Sequence, residues 1–171
     1  MLELVLKSLY FFLPAYFANM APVLFNWVPF AGNPVSEKWF GMHKTWRGLV
    51  VAPLVGVVVF WLQKIGHASG FQRWSLVNYT DFSLWLGGVL GLGAIIGDLV
   101  KSYYKRQAGI APGERWFPSD QLDFVIGGLL GSFVFYVPPF EVVVVLLLAS
   151  PLLHIVVNHV GFWLKVRKTK W

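Results

Sequence analysis

Residues 142–157 read VVVVLLLASPLLHIVV and contain no charged side chain. A run this long and this apolar is typical of a helix that crosses a lipid bilayer, which needs roughly 20 mainly apolar residues. The rest of the chain agrees, because 57% of its 171 residues are hydrophobic and only 13% are charged. A soluble domain carries about 25% charged residues, and one with half that share would expose large apolar patches to water. Lipid is the simpler partner for such a surface.

Five apolar segments in series predict an all-α integral membrane protein. Any one of them could be a buried helix of a soluble protein, but five in succession with little polar face argue against that alternative. The predicted transmembrane spans lie at about residues 4–28, 49–66, 82–104, 121–137 and 141–164. With no internal repeat or low-complexity linker in sight, residues 1–171 are predicted to form a single domain. The absence of cysteine excludes disulfides and cysteine nucleophiles.

Lysine and arginine in the connecting segments predict the orientation, because they are enriched on the cytoplasmic side of membrane proteins. Residues 31–48, residues 101–118 and the tail after residue 164 are rich in them. The alternate connections hold only Lys7, Lys64 and Arg73. Five spans then put the N-terminus outside and the C-terminus in the cytoplasm of a multi-pass cell-membrane protein. Three polar clusters would face the cytoplasm.

The first polar cluster precedes the second span and is rich in cations. It combines His43, Lys44 and Arg47 with the hydroxyl of Thr45. Lysine offers phosphate oxygens a point charge and arginine a planar fork, and backbone N–H groups at a helix start add to an anion site. A cytoplasmic anchor that touches lipid headgroups is the alternative, and the local sequence leaves both open.

The second cluster places an aspartate among lysines near the cytoplasmic end of the third span. On a helix Asp98 and Lys105 share one face, with Lys101 roughly 60° away. A carboxylate inside a membrane span calls for a partner. The pattern therefore indicates either an ion pair that packs the bundle or a cation ligand beside phosphate-binding lysines.

The third cluster, at the start of the fourth span, adds Asp120 and Asp123. A helix cap at Ser119 or Asp120 is one interpretation. The other is a metal site, because Asp98, Asp120 and Asp123 would supply three carboxylates from two helices at one membrane face. Mg²⁺ takes one or two carboxylates together with substrate phosphates. Carboxylates for a metal and cations for phosphate in a lipid-embedded scaffold suggest phosphoryl or nucleotidyl transfer to a lipid.

The remaining polar and small residues favour structural interpretations. His154, Asn158 and His159 in the last span favour interhelical hydrogen bonds over a metal site. Glycines recur in four-residue pairs that suit close helix packing, within one chain or in a homo-oligomer. The pairs are Gly87 with Gly91, Gly93 with Gly97, and Gly127 with Gly131. A small ion channel or transporter with an Asp98–lysine relay is the alternative from another functional class.

Four motifs resemble the family signature of the CDP-archaeol synthases. In chain order they are NMAP at 19–22, FGMHKTWRG at 40–48, GDLVKS at 97–102 with Lys105-Arg106 following, and PSDQLD at 118–123. Several linked motifs in order are far more specific than any single one. One departure is Met42, where the family pattern often has an acidic residue. The family is related to the CDP-diacylglycerol synthases.

The resemblance implies a Mg²⁺-dependent cytidylyltransferase. It would join CTP to 2,3-di-O-geranylgeranyl-sn-glycerol 1-phosphate and give unsaturated CDP-archaeol and pyrophosphate. Asp98, Asp120 and Asp123 would hold Mg²⁺ and, with Lys101, form the catalytic set. The implied substrate-binding set is Asn19, His43, Lys44, Thr45, Arg47, Gly97 and Lys105. The expected partners are CTP, an isoprenoid ether lipid phosphate and membrane lipids, with no nucleic acid. A different lipid phosphate stays open, since a hydrocarbon groove has no short motif.

Overall fold

A computed structural model describes residues 1–111 and 114–163, the side chain of Asn158 excepted. The helices are α1 (Leu2–Phe11), α2 (Leu13–Leu24), α3 (Glu37–Phe40), α4 (Trp46–Ala68), α5 (Trp85–Gln107), α6 (Ser119–Ser132) and α7 (Phe140–Trp163), with a 3₁₀ turn at Tyr79–Asp81. Within these residues there is no β-strand, only an isolated bridge between Pro34 and Thr45. The predicted all-α class is confirmed. The basic tail used to predict the orientation lies outside the described residues.

Three helices, α4, α5 and α7, are long and apolar enough to cross a membrane. The predicted first span is broken after α1 and continues as α2 at a bend of 50°, and the pair counts as a fourth candidate span. Pro14 lies in the first turn of α2, where the missing N–H cannot bond back to α1 and the bend is favoured.

The predicted span at 121–137 corresponds to α6, which has only 14 residues. A helix of that length is about 21 Å long, shorter than the ~30 Å hydrocarbon core. The chain is therefore an all-helical, multi-pass membrane protein with three or four candidate spans among the described residues. The count of five spans and the direction of the termini stay predictions.

Helices α5 and α6 pack with their backbones in direct contact because glycines line both surfaces. A Cβ added to Gly97 would overlap the carbonyl oxygen of Asp123, and one added to Gly93 would overlap that of Gly127. The four-residue glycine pairs thus pack helices within one chain, which is one of the two arrangements that the sequence left open. The close approach brings the Asp98 end of α5 beside the first turns of α6.

Aromatic side chains fill the middle of the bundle, whereas apolar side chains cover its outside. Phe11, Phe12, Phe60, Tyr79 and Phe124 are all buried. The outer surfaces of α4 and α7 carry exposed aliphatic residues, among them Leu54, Val58, Leu148 and Leu152. An apolar exterior of this kind is suited to lipid contact.

Candidate functional site

Three carboxylates converge on one ammonium group where α5 ends and α6 begins. The Nζ atom of Lys101 lies 3.1 Å from Asp98 Oδ1, 2.9 Å from Asp120 Oδ1 and 3.0 Å from Asp123 Oδ2. The side chains of Lys101 and Asp98 are 14% exposed, and that of Asp123 is only 4% exposed. The structure therefore brings the three predicted carboxylates together, and it puts a lysine between them.

Two further lysines flank this centre. Lys44 pairs with the second carboxylate oxygen of Asp98. Lys105 lies 3.0 Å from Asp120 Oδ2 and also donates to the backbone carbonyl of Glu114. Three lysines and three aspartates thus alternate in one network, in which the formal charges balance. We name these six residues the charge cluster: Lys44, Asp98, Lys101, Lys105, Asp120 and Asp123.

Helical spacing and loop geometry explain the convergence. Asp98, Lys101 and Lys105 are separated by three and four residues, which places them on one side of α5. The ion pair between Asp98 and Lys101, one of the two alternatives read from the sequence, is present. Lys44 is held near them because the next residue, Thr45, caps α4 by accepting a hydrogen bond from the Gly48 N–H at 3.3 Å.

The predicted side-chain cap of α6 is wrong. The residue that precedes the helix is Pro118, which provides no side-chain hydrogen bond, and Ser119 is already helical. Asp120 instead accepts a hydrogen bond from the backbone N–H of Trp116 at 2.6 Å. That bond fixes the Asp120 carboxylate toward Lys101 and Lys105 rather than over the helix end.

Arg47 points into the protein and not into the charge cluster. Its guanidinium donates to the carbonyl oxygen of Val28 at 2.6 Å and to Asn26 Oδ1 at 2.7 Å. The side chain is buried, and its Nε has no hydrogen-bond partner among the described residues. These bonds tie the segment after α2 to the start of α4. Asn26 was visible in the sequence only as a polar interruption of the first apolar segment.

Among the other predicted binding residues, Gly97 contacts the charge cluster through the backbone of Asp123. His43 is exposed, and Asn19 is half-buried on α2. Thr45 is engaged as the cap of α4. Gly97 lies in the backbone contact between α5 and α6, where it leaves no room for a side chain. Met42, the departure from the family pattern, is 60% exposed.

A long apolar groove of about 650 Å³ runs between α5 and α6 and ends at the charge cluster. Lys101 and Asp123 line its polar end, and Val89 and Val134 line its far end. Trp116, which the motifs did not single out, also lines the polar end. The groove runs along the helices, with charged residues at one end and apolar residues along the rest. A molecule with a charged head and a hydrocarbon tail would match this distribution.

In the part of the last helix whose side chains are described, the polar residues form no second metal-binding centre. The Nδ1 atom of His159 lies 2.8 Å from the carbonyl oxygen of Ile155, within the same helix. His154 packs edge-on against Phe124, with the ring centroids 5.7 Å apart. The side chain of Asn158 lies outside the described part of the chain.

The carboxylates fit a divalent cation by their chemistry but do not enclose one as they stand. Among the described residues no group of three or more His, Cys, Asp or Glu side chains is arranged to hold a metal ion. Asp98, Asp120 and Asp123 nevertheless offer hard oxygen donors that already converge on a positive charge, and Mg²⁺ prefers such donors. The three carboxylates are therefore suitable metal ligands, but the position between them is occupied by the ammonium group of Lys101.

Comparisons with known proteins agree with the motifs. The family model described as CarS-like CDP-archaeol synthase matches residues 1–171. The CDP-archaeol synthase of Methanoregula boonei is 34% identical over 92% of this chain and 99% of that protein. The synthase of Archaeoglobus fulgidus is 31% identical over the full length of both chains. A solved structure, described as an intramembrane enzyme for archaeal membrane lipids biosynthesis, superposes with a TM-score of 0.69 at 29% identity and covers 90% of this chain and 94% of its own.

Proposed function

Since this chain belongs to the CDP-archaeol synthase family, and is thus a nucleotidyltransferase of archaeal lipid biosynthesis, we propose that it transfers CMP from CTP to 2,3-di-O-geranylgeranyl-sn-glycerol 1-phosphate. The products would be unsaturated CDP-archaeol and pyrophosphate. The observation that carries the proposal is the position of the charge cluster at the polar end of the apolar groove. Headgroup chemistry and hydrocarbon binding then share one site. An ion channel needs no such groove.

The lipid substrate would bind with its phosphate at the charge cluster and its chains along the groove. Lys101 offers the phosphate a positive charge at the groove end. Leu92, Ile96, Ile126 and Leu130 line the apolar length of the groove. The headgroup could then react without the chains leaving an apolar environment.

The triphosphate of CTP would bind over the lysines of the cluster. Lys44 and Lys105 flank the centre from two different segments, so they can contact different phosphate groups. Lysine binds phosphate as a point charge and needs no fixed fork geometry. Asn19, His43 and Thr45 complete the proposed binding set. For Arg47 we propose a positioning role, since its guanidinium already bonds to Val28 and Asn26.

Asp98, Asp120 and Asp123 would hold Mg²⁺, which when bound neutralises phosphate charge and orients the triphosphate. Before the metal ion and the substrates bind, the same aspartates hold Lys101 at the end of the groove through ion pairs. Lys44 and Lys105, each paired with one aspartate, provide positive charges that are already in place for the phosphates. Preorganised charges of this kind stabilise a transition state at little cost in reorganisation.

The transfer needs no general base on the protein. A phosphate monoester is largely ionised near neutral pH, so its oxygen can attack the α-phosphorus of CTP directly. A new P–O bond forms as the bond to the β-phosphate breaks, and pyrophosphate leaves with the electron pair. The tasks left to the side chains are alignment and charge compensation, which Lys44, Lys101 and Lys105 can provide.

The test is a reconstituted assay with purified protein, labelled CTP, Mg²⁺ and matched ether and ester lipid phosphates. We expect a labelled CDP-lipid and one equivalent of pyrophosphate, with the isoprenoid ether phosphate as the better substrate. Omission of the lipid phosphate is the control for CTP hydrolysis. Absence of CDP-lipid with every lipid phosphate would refute the proposed reaction, and equal rates with both lipid classes would refute the ether preference.

A further inference from the structure

Lys101 is the cation that all three aspartates of the charge cluster share. Its Nζ lies within 3.1 Å of a carboxylate oxygen of Asp98, Asp120 and Asp123. Each flanking lysine pairs with only one aspartate: Lys44 with Asp98, and Lys105 with Asp120. A metal ion held by the same three carboxylates would therefore compete with the ammonium of Lys101 and not with its neighbours.

The ammonium group and a divalent cation cannot easily share this space. Both are positive, and repulsion between charges a few ångströms apart is strong where water screens them poorly. The side chains of Lys101 and Asp123 are 14% and 4% exposed, so screening is limited here. Entry of the metal alone would thus be opposed, unless Lys101 finds another anion to contact.

The nucleotide is such an anion, and Lys101 has room to reach it. Lysine carries its charge on a flexible four-carbon stem with rotatable donors, unlike the fixed fork of arginine. Lys101 also lines the open groove between α5 and α6, so its side chain has free space beside it.

We propose that Lys101 is the resting counter-ion of the three aspartates and moves onto the phosphates of the nucleotide as the metal ion takes its place. The metal ion and the nucleotide then bind cooperatively. The nucleotide draws the ammonium of Lys101 away from the carboxylates, and the metal ion releases Lys101 to contact the phosphates. The inference rests on the proposed function, because it takes the nucleotide and metal from that reaction. A fixed structural ion pair at Lys101 would give independent binding instead.

Equilibrium dialysis of the purified full-length protein against Mn²⁺ measures this coupling directly. For the wild type we expect weak Mn²⁺ binding alone and an affinity about ten-fold higher with CTP. Lys101→Met keeps the length of the side chain and removes its charge, so it should bind Mn²⁺ about ten-fold more tightly than the wild type without CTP. The further substitution Asp123→Asn should abolish that gain.

Lys38→Met is the matched control, because it removes one positive charge from an exposed lysine that packs over Trp39 outside the charge cluster. It should bind Mn²⁺ like the wild type. Equal Mn²⁺ affinity in Lys101→Met and wild type would overturn the proposal. Should Lys101→Met fail to fold, as judged by gel filtration and thermal unfolding, the wild type decides: Mn²⁺ affinity unchanged by CTP would overturn the proposal as well.

The two proposals can fail separately. Formation of CDP-lipid together with Mn²⁺ binding that is independent of CTP would support the proposed function and refute the exchange at Lys101. Coupled binding of Mn²⁺ and CTP without formation of CDP-lipid would support the exchange and refute the proposed reaction.

Discussion

At the scale of single residues, Asp123 is the most enclosed carboxylate of the site, 4% exposed against 14% for Asp98 and 20% for Asp120. A carboxylate so enclosed is stable only beside a cation, and here the cation is Lys101. The carboxylate oxygens of Asp123 therefore have little freedom, and one of them faces the ammonium of Lys101. Asp98 and Asp120 each pair with a second lysine. The negative charge of Asp123 is compensated by Lys101 alone within the charge cluster.

We expect Asp123→Asn to lower kcat at least about 100-fold, because an amide cannot supply the charge that holds the cation. Formation of CDP-lipid from labelled CTP measures the loss. Glu37→Gln is the matched control, since Glu37 is an exposed carboxylate in α3, at the same end of the bundle and outside the charge cluster. Near-normal turnover in Asp123→Asn would remove this residue from the catalytic set.

Arg47 leads to a prediction about stability. Two hydrogen bonds from its buried guanidinium hold Val28 and Asn26. Hydrogen bonds to charged groups contribute about 1.5–3 kcal/mol each, so Arg47→Met should lower the free energy of unfolding by about 3 kcal/mol. Arg47→Lys should recover only part of this, because an ammonium does not reproduce the fork. Thermal unfolding followed by tryptophan fluorescence is the measurement. A melting temperature equal to that of Lys38→Met would contradict the positioning role.

At the scale of helices, the contact of α5 with α6 sets the distance between the carboxylates. Gly97 precedes Asp98 in the chain and touches the backbone of Asp123, so one contact controls how far apart two site residues lie. Hydropathy alone could not predict this arrangement, since the sequence shows glycine pairs but not which helices they join.

Gly97→Ala should therefore reduce both the activity and the stability of the protein. The added Cβ would meet the carbonyl oxygen of Asp123, so the helices must separate and the carboxylates move with them. A shift of this kind can cost about 100-fold in rate. Gly66→Ala in α4 is the control, because its Cβ would lie 3.7 Å from the Tyr10 hydroxyl, an ordinary contact distance, and alanine favours a helix over glycine. Full activity in Gly97→Ala would show that the spacing is not critical.

The groove between α5 and α6 leads to a prediction about the length of the isoprenoid tail of the lipid substrate. Leu130 lines it beyond the charge cluster and is 60% exposed, so tryptophan can replace it without disturbing the core. Leu130→Trp should raise KM for long isoprenoid phosphates about ten-fold and leave a short-chain phosphate unaffected, since only a long tail reaches that position. Leu148→Trp, on the outer surface of α7, is the control. Equal effects on short and long chains would place the tail elsewhere.

At the scale of the whole molecule, the sequence allowed correct predictions for features that depend on a single segment and not on how segments pack together. Long apolar runs indicated α4, α5 and α7, because hydrophobicity acts on each segment separately. The meeting of the polar clusters could also be predicted, since alternate loops share a membrane face. The central position of Lys101 could not, because it depends on how α6 lies against α5. The inward direction of Arg47 depends on the path of the chain after α2, which periodicity does not describe.

The orientation of the whole protein can be tested by cysteine labelling, because the sequence contains no cysteine. We propose that the charge cluster faces the cytoplasm and that the opposite end of the bundle faces outward, as the lysine and arginine distribution predicts. Lys38→Cys marks the end with the charge cluster, and Arg73→Cys marks the connection between α4 and α5 at the other end; both side chains are exposed. In intact cells, a membrane-impermeant maleimide should label Arg73→Cys at once and Lys38→Cys only after permeabilisation. The cysteine-free parent is the control for background labelling, and the reverse pattern would invert the proposed topology.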